Sequence, residues 1–384
     1  MSRVDFALSD LQTELVATVR RFATERLAPA YRAGDLDARI DRDVVAEMGR
    51  MGMIGCELPE AVGGAGVDCV TSGLVLEQIA HGDFNVAYVN LLASLCGQIL
   101  VEHAAPDVQQ EWLPRITAGT ALIAIALTEP EAGSDAAHLR LTARRYGSDY
   151  LLDGEKASIS FADQADVAVV FARTGPDPGA RGISAFAVDL GAPGITRTAT
   201  DDLGTRRVGR GSIYFDGVRV PAAHRLGDEG QGFVQVMQGF DFSRALIGLQ
   251  CLAVARASLD ETWRYATERR TMGVPIGQHQ GVSFPLAEAE THYDAARWQC
   301  LRTLWLKDHG HDHTAQAAMC KWWAPKLSYE IVQQCLLTHG HGGYSSEYPY
   351  EQRMRDVFGL QIGDGTAQIM KLVIARHFLR ALGE

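Results

Sequence analysis

The stretch Leu127-Thr-Glu-Pro-Glu-Ala-Gly-Ser-Asp135 lies where the hydrophobic pattern of the chain changes its period. Before it, apolar residues recur at helical spacing. From about Ala121 onward, short runs rich in Val, Ile, Phe and Tyr alternate with glycine-containing turns. A proline and a glycine indicate that the stretch itself is a loop. The sequence therefore predicts that this loop opens a β domain inside an otherwise helical chain.

Residues 1–120 are predicted to form an N-terminal helical domain. Ser9-Asp-Leu-Gln12 fits a capping box at the start of the first helix. Helical patterns continue over residues 44–53 and 72–103, and they are separated by Pro59-Glu-Ala-Val-Gly-Gly-Ala-Gly66, because clustered glycines and a proline cannot hold a helix. One face of the first helix is predicted to be apolar, comprising Leu11, Leu15, Val16, Val19 and Phe22.

Residues 121–225 are predicted to form a small antiparallel β domain, and residues 226–384 a C-terminal helical domain. Asp153-Gly154 and Asp216-Gly217 are type I′ signals, so each pair is predicted to turn a hairpin. Predicted strands cover residues 150–152, 167–171, 183–188 and 213–215. Predicted helices cover residues 233–267, 284–306, 315–337 and 367–379. No internal repeat or charged tail suggests an appended module.

Composition limits the class of protein. At 384 residues the chain exceeds the size at which one hydrophobic core stops growing, so two or three domains are expected. A hydrophobic fraction of 47% and a charged fraction of 22% are typical of a soluble globular protein. The formal net charge of -11 argues against a nucleic-acid partner, because affinity for phosphates comes from clustered Lys and Arg.

Membrane insertion and secretion are not expected. We expect no apolar run to be long enough to span a bilayer. The start, Met1-Ser-Arg-Val-Asp-Phe-Ala-Leu8, lacks the basic segment and apolar core of a secretory signal. The seven cysteines are scattered, never spaced as a metal pair, and are predicted to be buried thiols in a reducing compartment: Cys56, Cys69, Cys96, Cys251, Cys300, Cys320 and Cys335. A cytoplasmic protein is therefore expected.

A series of motifs resembles the acyl-CoA dehydrogenase family, in that family's order and spacing and over nearly the whole chain. The longest and most specific is the Leu127–Asp135 loop. The others are Gly154-Glu-Lys156, Gly230-Gln-Gly232-Phe233, Glu268-Arg269-Arg-Thr271-Met-Gly273, Gln280, Tyr348-Pro349, Arg355-Asp356 and Gly365-Thr366-Ala-Gln368-Ile369. The resemblance implies a mostly α fold with a central β domain and a C-terminal four-helix bundle. It also implies FAD-dependent removal of a proton and a hydride from adjacent carbons of an acyl-CoA thioester.

The resemblance places the catalytic base at Asp364, within Ile362-Gly363-Asp364-Gly365-Thr366. In the family this carboxylate precedes Gly-Thr, and its backbone amide also donates to the thioester oxygen. Most members carry glutamate there, so aspartate shortens the reach of the base by one methylene. Some members instead place the base just before the pocket arginine. Here that position is Ser243, ahead of Arg244, and serine cannot act as a base unaided. A helix-capping role for Asp364 is the structural alternative.

The same resemblance implies the cofactor contacts. Along the flavin it places Ile125, Thr128, Ser134, Ser158 and Ser160. Serine at 158 replaces a tryptophan that is usual in the family. Thr366 and Gln368 match further cofactor contacts. Arg269 and Thr271 match residues that reach the FAD pyrophosphate of a neighbouring subunit, and Gln280 matches a cofactor contact. Leu337 and His341 depart from the family's glutamine and glycine. Taken alone, these residues would be ordinary loop hydroxyls and solvated charges.

The substrate residues implied by the resemblance are Ser134, Asp241, Arg244, Gly363 and Gly365. Asp364, Gly363 and Ser158 are all smaller than the residues usual in the family, which indicates extra volume at the reacting carbons. A bulky acyl group is therefore predicted, with the alicyclic cyclohexane-1-carboxyl-CoA as the leading candidate. An ordinary straight chain, with neighbouring side chains refilling the space, is the alternative.

The family also implies a homotetramer and an electron-transfer flavoprotein as electron acceptor. Three other functions keep the fold: a flavin oxidase similar to nitroalkane oxidase, a flavin monooxygenase, and a non-catalytic acyl-thioester binding protein. No metal is expected, because His309-Gly-His311-Asp-His313 lacks the helical spacing of a zinc motif and is predicted to be a solvated turn. Gly63-Gly-Ala-Gly66 precedes no βαβ unit, so no dinucleotide-binding Rossmann unit is predicted.

Overall fold

A computed structural model describes residues 7–37, 39–177 and 179–383. Residues 1–6, on which most of the secretory-signal argument depends, lie outside the described residues. The chain begins with helices, continues into a sheet and ends with helices, as predicted. The first part contains α1 (Asp10–Phe22), α2 (Ala28–Asp37), α3 (Arg42–Arg50), α4 (Cys69–Gly82), α5 (Ala87–His103) and α6 (Pro106–Thr117), with a π-helical turn, Ala23–Leu27, joining α1 to α2.

The capping box at the start of α1 is confirmed. The Gln12 N–H donates to Ser9 Oγ at 3.2 Å, and the Ser9 N–H donates to Gln12 Oε1 at 3.1 Å. On the predicted apolar face, Val19 and Phe22 are buried, whereas Leu11 is 66% exposed. Leu11 lies in the first turn of α1, where the described neighbours leave it uncovered.

The apolar pattern of residues 72–103 forms two helices, α4 and α5, which are almost entirely buried. The break between them falls at Asp83, whose Oδ1 accepts hydrogen bonds from the Asn85 N–H at 2.8 Å and the Val86 N–H at 3.1 Å. A buried carboxylate that satisfies free backbone donors is a stable way to restart a helix. The break sets the direction of α5, which runs past the candidate site.

One eight-stranded sheet forms the middle of the chain, with strand order β6-β7-β3-β2-β4-β5-β8 and β1 paired to β4. The sheet is mainly antiparallel, as predicted, but β1 pairs with β4 in parallel and β2 contacts β4 in parallel. The strands are β1 (Ile123–Ala126), β2 (Thr142–Tyr146), β3 (Asp149–Ile159), β4 (Val167–Arg173), β5 (Ile183–Asp189), β6 (Ile195–Ala199), β7 (Gly211–Pro221) and β8 (Arg225–Leu226).

The two Asp-Gly pairs predicted as hairpin turns face each other inside long strands. Leu152 pairs with Val218 and Gly154 pairs with Phe215, so Asp153 alone lies opposite Asp216 and Gly217. This is a β-bulge, closed by the Gly217 N–H, which donates to Asp153 Oδ1 at 2.8 Å. The tight turn is instead Gly147-Ser148, between β2 and β3. Asp-Gly suits the left-handed backbone of a bulge as well as that of a turn, which is why the prediction failed.

The last part is a helical bundle in which α7, α8 and α9 pack against one another and α12 packs on α9. A small hairpin of β9 (Arg270–Thr271) and β10 (Val274–Pro275) lies between α7 and α8. The predicted long helices are confirmed, with bounds extended by a few residues. They are α7 (Gly232–Glu268), α8 (Gln280–Asp308), α9 (Thr314–His339), α10 (His341–Tyr344), α11 (Tyr350–Gly359) and α12 (Ala367–Ala381).

Helix α7 corrects the expectation that no apolar run could span a membrane. Among the described residues it is the one helix whose length and composition would allow a crossing, and 94% of its most apolar window is buried inside the protein. It is the central helix of the bundle, and its middle part packs against α4, α5, α8 and α9. Its apolar surface therefore serves the core.

Candidate active site

The turn between α11 and α12 carries Asp364 between two glycines. Asp364 has φ +55° and Gly365 has φ +103°, both in the left-handed region. Aspartate is one of the few residues that tolerate this conformation. The φ of Gly365 is one that L side chains rarely adopt, so glycine is favoured there even though Met370 Cε, 2.5 Å from the position of a Cβ, belongs to a flexible side chain. The backbone thus fixes Asp364 in an unusual conformation, which is common at functional sites.

Asp364 is not the helix cap of the structural alternative. The cap of α12 is Thr366, whose Oγ1 accepts from the Ile369 N–H at 3.4 Å. Within the part of the chain that the structure describes, neither the carboxylate nor the backbone N–H of Asp364 takes part in a hydrogen bond or ion pair. Both groups are therefore free to act on a bound molecule.

The buried Lys321 stabilises this turn through two hydrogen bonds. Its Nζ donates to the carbonyl oxygens of Leu360 at 2.6 Å and Gly365 at 3.1 Å, and the side chain is 1% exposed. Burial lowers the pKa of Lys321 to about 8, and the charge of Asp364 opposes that shift. No role for Lys321 was predicted from the sequence, although a lysine between apolar residues, Ala-Ala-Met-Cys before it and Trp-Trp-Ala-Pro after it, is a signal of a buried charge.

Arg244 and Asp241 lie on the other side of the turn, one helical turn apart on α7. Arg244 Nη1 donates to Asp241 Oδ1 at 2.9 Å. Arg244 Nη2 lies 4.0 Å from the position of a Cβ at Gly365, and its buried Nε has no partner among the described residues. Asp241 Oδ2 also accepts from Thr314 Oγ1 at 2.6 Å. Ser243 between them is buried and offers no carboxylate.

A cavity of about 440 Å³ borders Asp241. It lies between α5, α7 and the connection from α8 to α9, and its lining includes Gln98, Glu102 and Lys307. The connection contains the histidine run: His309 Nδ1 is 2.8 Å from the Trp305 carbonyl oxygen, and its ring stacks on Trp305. Among the described residues, no group of three or more His, Cys, Asp or Glu side chains could hold a metal ion.

A buried ion pair shapes the Leu127–Asp135 loop. Lys156 Nζ lies 2.8 Å from Glu129 Oε1 and donates to the Leu127 carbonyl oxygen at 3.0 Å. Glu129 also accepts from the backbone N–H groups of Arg140 and Leu141 at 2.6 and 2.9 Å. Burial lowers the pKa of Lys156 to about 8. The sequence analysis quoted both residues as motif letters but assigned neither a role.

The loop and β3 bring the predicted flavin contacts together. The Ala157 N–H donates to the Thr128 carbonyl oxygen at 2.9 Å, so Thr128 lies beside Ser158. Ala157 and Ser158 form a second bulge opposite Ser212, and Ser158 has φ +58°. A bulge re-aims side chains and is frequent next to active sites. Ser158 is exposed here, and Ser160, Thr128 and Ile125 are half-buried.

Helix α5 packs against both β1, which leads into the Leu127–Asp135 loop, and α7, which carries Asp241 and Arg244. Cys96 Sγ lies 3.8 Å from the carbonyl oxygen of Ala124 on β1. Burial raises the pKa of Cys96, and the charge of Asp364 adds to that shift.

Comparisons with known proteins agree on one family. Family models described as the N-terminal, middle and C-terminal domains of acyl-CoA dehydrogenase match residues 9–120, 124–218 and 230–379. The chain belongs to the acyl-CoA dehydrogenase family. It is 35% identical to the probable acyl-CoA dehydrogenase YngJ of Bacillus subtilis, over 98% of this chain and 100% of that protein. It is 34% identical to the mitochondrial short-chain specific acyl-CoA dehydrogenase of Rattus norvegicus, over 97% and 91%.

Solved structures confirm the fold of this acyl-CoA dehydrogenase. The butyryl-CoA dehydrogenase of Megasphaera elsdenii superposes with a TM-score of 0.95 at 31% identity, covering 98% of this chain and 100% of that one. A glutaryl-CoA dehydrogenase of Mycobacterium smegmatis in complex with FADH2 gives a TM-score of 0.91 at 27% identity, covering 97% and 95%. The family is FAD-dependent, and this enzyme is accordingly a flavoprotein oxidoreductase.

The residues of the Leu127–Asp135 loop and of the end of β3 fit FAD. The hydroxyls of Thr128, Ser158 and Ser160 make no hydrogen bond within the described part of the chain, so they are free to meet the polar edge of a flavin. Ser134 is exposed on the loop beside them. Thr366 and Gln368 begin α12, directly after the Asp364 turn. These residues and Ile125 could hold the isoalloxazine end of the cofactor.

Arg269, Thr271 and Gln280 lie elsewhere. They surround the β9–β10 hairpin at the far end of α7, and all three are exposed. At about 1.5 Å per helical residue, Arg269 is roughly 37 Å along α7 from Arg244. Within one chain the structure does not bring these residues to the Asp364 turn. The prediction that Arg269 and Thr271 serve a neighbouring subunit is thus compatible with their position.

Proposed function

We propose that this acyl-CoA dehydrogenase oxidises an alicyclic acyl-CoA, with cyclohexane-1-carboxyl-CoA as the leading candidate, and that Asp364 removes the α-proton. The observation that carries the proposal is the Asp364 turn. This carboxylate has no partner among the described residues, is held in a left-handed conformation between two glycines, and directly precedes the predicted cofactor contacts Thr366 and Gln368 in the chain. Of the two positions where the family places its base, 243 and 364, only the latter holds a carboxylate.

The surrounding residues would support proton abstraction. The thioester oxygen would accept from the free N–H of Asp364, which stabilises the negative charge that develops as the proton leaves. Lys321 holds the turn in place through two hydrogen bonds to its carbonyl oxygens, and the absence of a side chain at Gly363 leaves room for the substrate. Asp241 and Arg244 would position the thioester arm, with Ser134 across from them. When bound, FAD accepts the hydride from the β-carbon.

The space around the reacting carbons supports a bulky acyl group. A Cβ at Gly363 would meet nothing nearer than the Gly359 carbonyl oxygen at 3.8 Å, and Gly363 does not have a positive φ. A larger side chain would therefore fit, so backbone crowding does not explain the glycine. Ser158 leaves further volume beside the flavin contacts, and Asp364 sets the carboxylate farther back than glutamate would. A tertiary α-carbon in a ring needs this additional room.

A substrate panel tests the proposal. Flavin bleaching under nitrogen is followed with cyclohexane-1-carboxyl-CoA, isobutyryl-CoA and hexanoyl-CoA, and specificity constants are compared. The ring thioester is expected to react best. In Gly363→Tyr the ring rate should fall far more than the hexanoyl rate, with FAD content unchanged. A higher specificity constant for hexanoyl-CoA in the wild-type enzyme would contradict the alicyclic assignment.

We also propose an electron-transfer flavoprotein as acceptor, a homotetramer as the assembly, and the cytoplasm as the compartment. One solved structure with a TM-score of 0.95 and 32% identity is described as an electron transferring flavoprotein of Acidaminococcus fermentans. The exposed position of Arg269 supports an assembly in which it reaches another subunit. All seven cysteines are free and buried, which suits a reducing compartment.

A further inference from the structure

Tyr88 is a buried phenol without a hydrogen-bond partner. It lies in the first turn of α5, is 2% exposed, and its ring packs edge-on against Phe84 with centroids 5.8 Å apart. Its Oη is buried and makes no hydrogen bond within the described part of the chain. A phenylalanine would fill the same space without leaving a polar atom unpaired, so the hydroxyl requires an explanation.

The other buried tyrosines of the described chain all have partners. Tyr31 donates to Asp356 at 2.7 Å, and Tyr293 donates to Glu77 at 3.5 Å. Tyr350 bonds to His339 at 3.1 Å, and Tyr150 donates to Glu229. Tyr88 is therefore an exception within its own protein. Either the hydroxyl has no hydrogen bond, which destabilises the folded protein, or a bound molecule supplies that hydrogen bond.

Tyr88 lies where three segments meet around the Asp364 turn. Three residues before it, Asn85 Nδ2 donates to Asp356 Oδ2 at 2.9 Å, and Asp356 begins the segment that leads to Asp364. The third segment contributes Arg210, whose Nη1 lies 3.8 Å from the position of a Cβ at Gly359, at the start of the turn. Burial raises the pKa of Tyr88, the charge of Arg210 opposes that shift, and the charge of Asp364 adds to it.

We propose that Tyr88 is a specificity-determining residue that hydrogen-bonds an oxygen carried by the acyl group itself. The preferred substrate is then an oxygenated acyl-CoA, with a hydroxyl or carbonyl oxygen on the ring or chain near the reacting carbons. A phenol hydroxyl both donates and accepts, so it serves either kind of oxygen. This inference rests on the proposed function, because it places the acyl group beside Asp364.

A buried polar group that needs a substrate oxygen discriminates against the analogue that lacks it, because the group is then left without a hydrogen bond. The wild-type enzyme is therefore expected to prefer a ring-hydroxylated cyclohexane-1-carboxyl-CoA over the plain ring by about 10- to 100-fold in specificity constant. Tyr88→Phe should abolish that preference by slowing only the hydroxylated substrate. Its rate with the plain ring and its FAD content should not fall.

The experiment compares wild type, Tyr88→Phe and the control Tyr350→Phe, which removes a buried phenol hydroxyl away from the turn. Each is titrated under nitrogen with the plain thioester and with isomers hydroxylated at ring carbons beyond the reacting pair. Equal losses on both substrates in Tyr88→Phe, or loss of FAD from it, would overturn the inference. Wild-type bleaching by all thioesters without preference would overturn this inference alone. No bleaching by any thioester would overturn the proposed function as well.

Discussion

Asp364 combines a strained backbone with a side chain that has no partner, and this combination favours function over structure. A non-glycine residue in the left-handed region costs free energy, which the surrounding turn must offset. Here Lys321 and Met370 hold the turn on either side of Gly365. The turn would be as stable with glycine at 364, so the carboxylate itself explains the aspartate.

Asp364→Asn should abolish flavin bleaching by acyl-CoA while FAD stays bound. Asparagine preserves the shape and also tolerates the left-handed conformation, but it cannot accept the α-proton at neutral pH. We expect the bleaching rate to fall by at least about a thousandfold, measured by anaerobic stopped flow. Asp189→Asn, at the exposed end of β5, is the matched control. Undiminished bleaching in Asp364→Asn would place the base elsewhere.

Lys321 is predicted to act through the turn that it holds. Lys321→Met removes both hydrogen bonds to the turn carbonyls, so Asp364 should be positioned less accurately and the maximal bleaching rate should fall by roughly tenfold or more. Lys326→Met is the control, because Lys326 lies on the same helix and pairs only with the exposed Glu330. Equal rates in the two variants would remove Lys321 from the catalytic machinery.

The pH dependence of the free energy of unfolding tests the lowered pKa of Lys321. Burial lowers the pKa of Lys321 from 10.5 to about 8, so between these values the unfolded chain holds a proton that the folded chain has lost. The free energy of unfolding therefore rises with pH across that window, and Lys321 contributes least below it. Relative to Lys321→Met, the wild-type enzyme should gain roughly 3 kcal/mol from the lower to the upper pH. Urea unfolding at several pH values measures this; a constant difference would contradict it.

The Leu127–Asp135 loop shows how a buried ion pair can shape a cofactor-binding element. Glu129 and Lys156 are 7% and 0% exposed and satisfy three backbone groups between them. Removing one partner leaves the other as an unpaired buried charge. The pair fixes the path of the loop beside β3 and thereby the hydroxyls of Thr128 and Ser134.

A double-mutant cycle tests this pair. Lys156→Met alone should destabilise the enzyme by roughly 3–5 kcal/mol and lower its FAD content. The double variant Lys156→Met/Glu129→Gln should lose clearly less free energy of unfolding than the two single variants lose together, because no unpaired charge remains in it. Arg144→Met breaks an exposed pair with Asp153 and should cost less than about 1 kcal/mol. Additive costs in the cycle would show that the two charges do not interact.

The sequence predicted the helices better than the sheet, for a physical reason. Long apolar or amphipathic runs, such as those of α7 and α9, fit a compact domain only as helices. Asp-Gly pairs do not: the left-handed glycine fits a turn or a bulge, and the partner strand decides between them. The resemblance to the family predicted site roles for Asp364 and Arg244 from sequence alone. Lys321 and Tyr88 escaped because the burial and the missing partner that distinguish them exist only in the folded chain.

Asp356 joins the three parts of the chain. Its carboxylate accepts from Tyr31 Oη and Asn85 Nδ2 of the first part at 2.7 and 2.9 Å, and from the Thr205 N–H of the sheet part at 2.5 Å. It is fully buried, and burial raises its pKa to about 6. The sequence analysis quoted Asp356 only as a motif letter. Its contacts explain why a residue eight positions before Asp364 belongs to the same motif series: it anchors the helix that leads to the turn.

The proposed assembly would combine residues of two subunits in each active site. Arg269, Thr271 and Gln280 are exposed around the β9–β10 hairpin, far along α7 from the Asp364 turn. If Arg269 completes the cofactor site of a neighbouring subunit, each active site combines Asp364 of one chain with Arg269 of another. A closed symmetric assembly repeats this exchange in every pair of subunits.

Mixed oligomers test that arrangement directly. Arg269→Ala and Asp364→Asn subunits are each expected to be inactive alone, the first through loss of FAD and the second through loss of the base. After co-refolding, random pairing makes about half of the pairs mixed, and each mixed pair contains one complete site of two, so about a quarter of all sites should bleach with acyl-CoA. Arg264→Ala, exposed one turn earlier on α7, is the control and should be active alone. If Arg269 instead serves its own chain, every site in the mixture lacks one residue, and no activity will return.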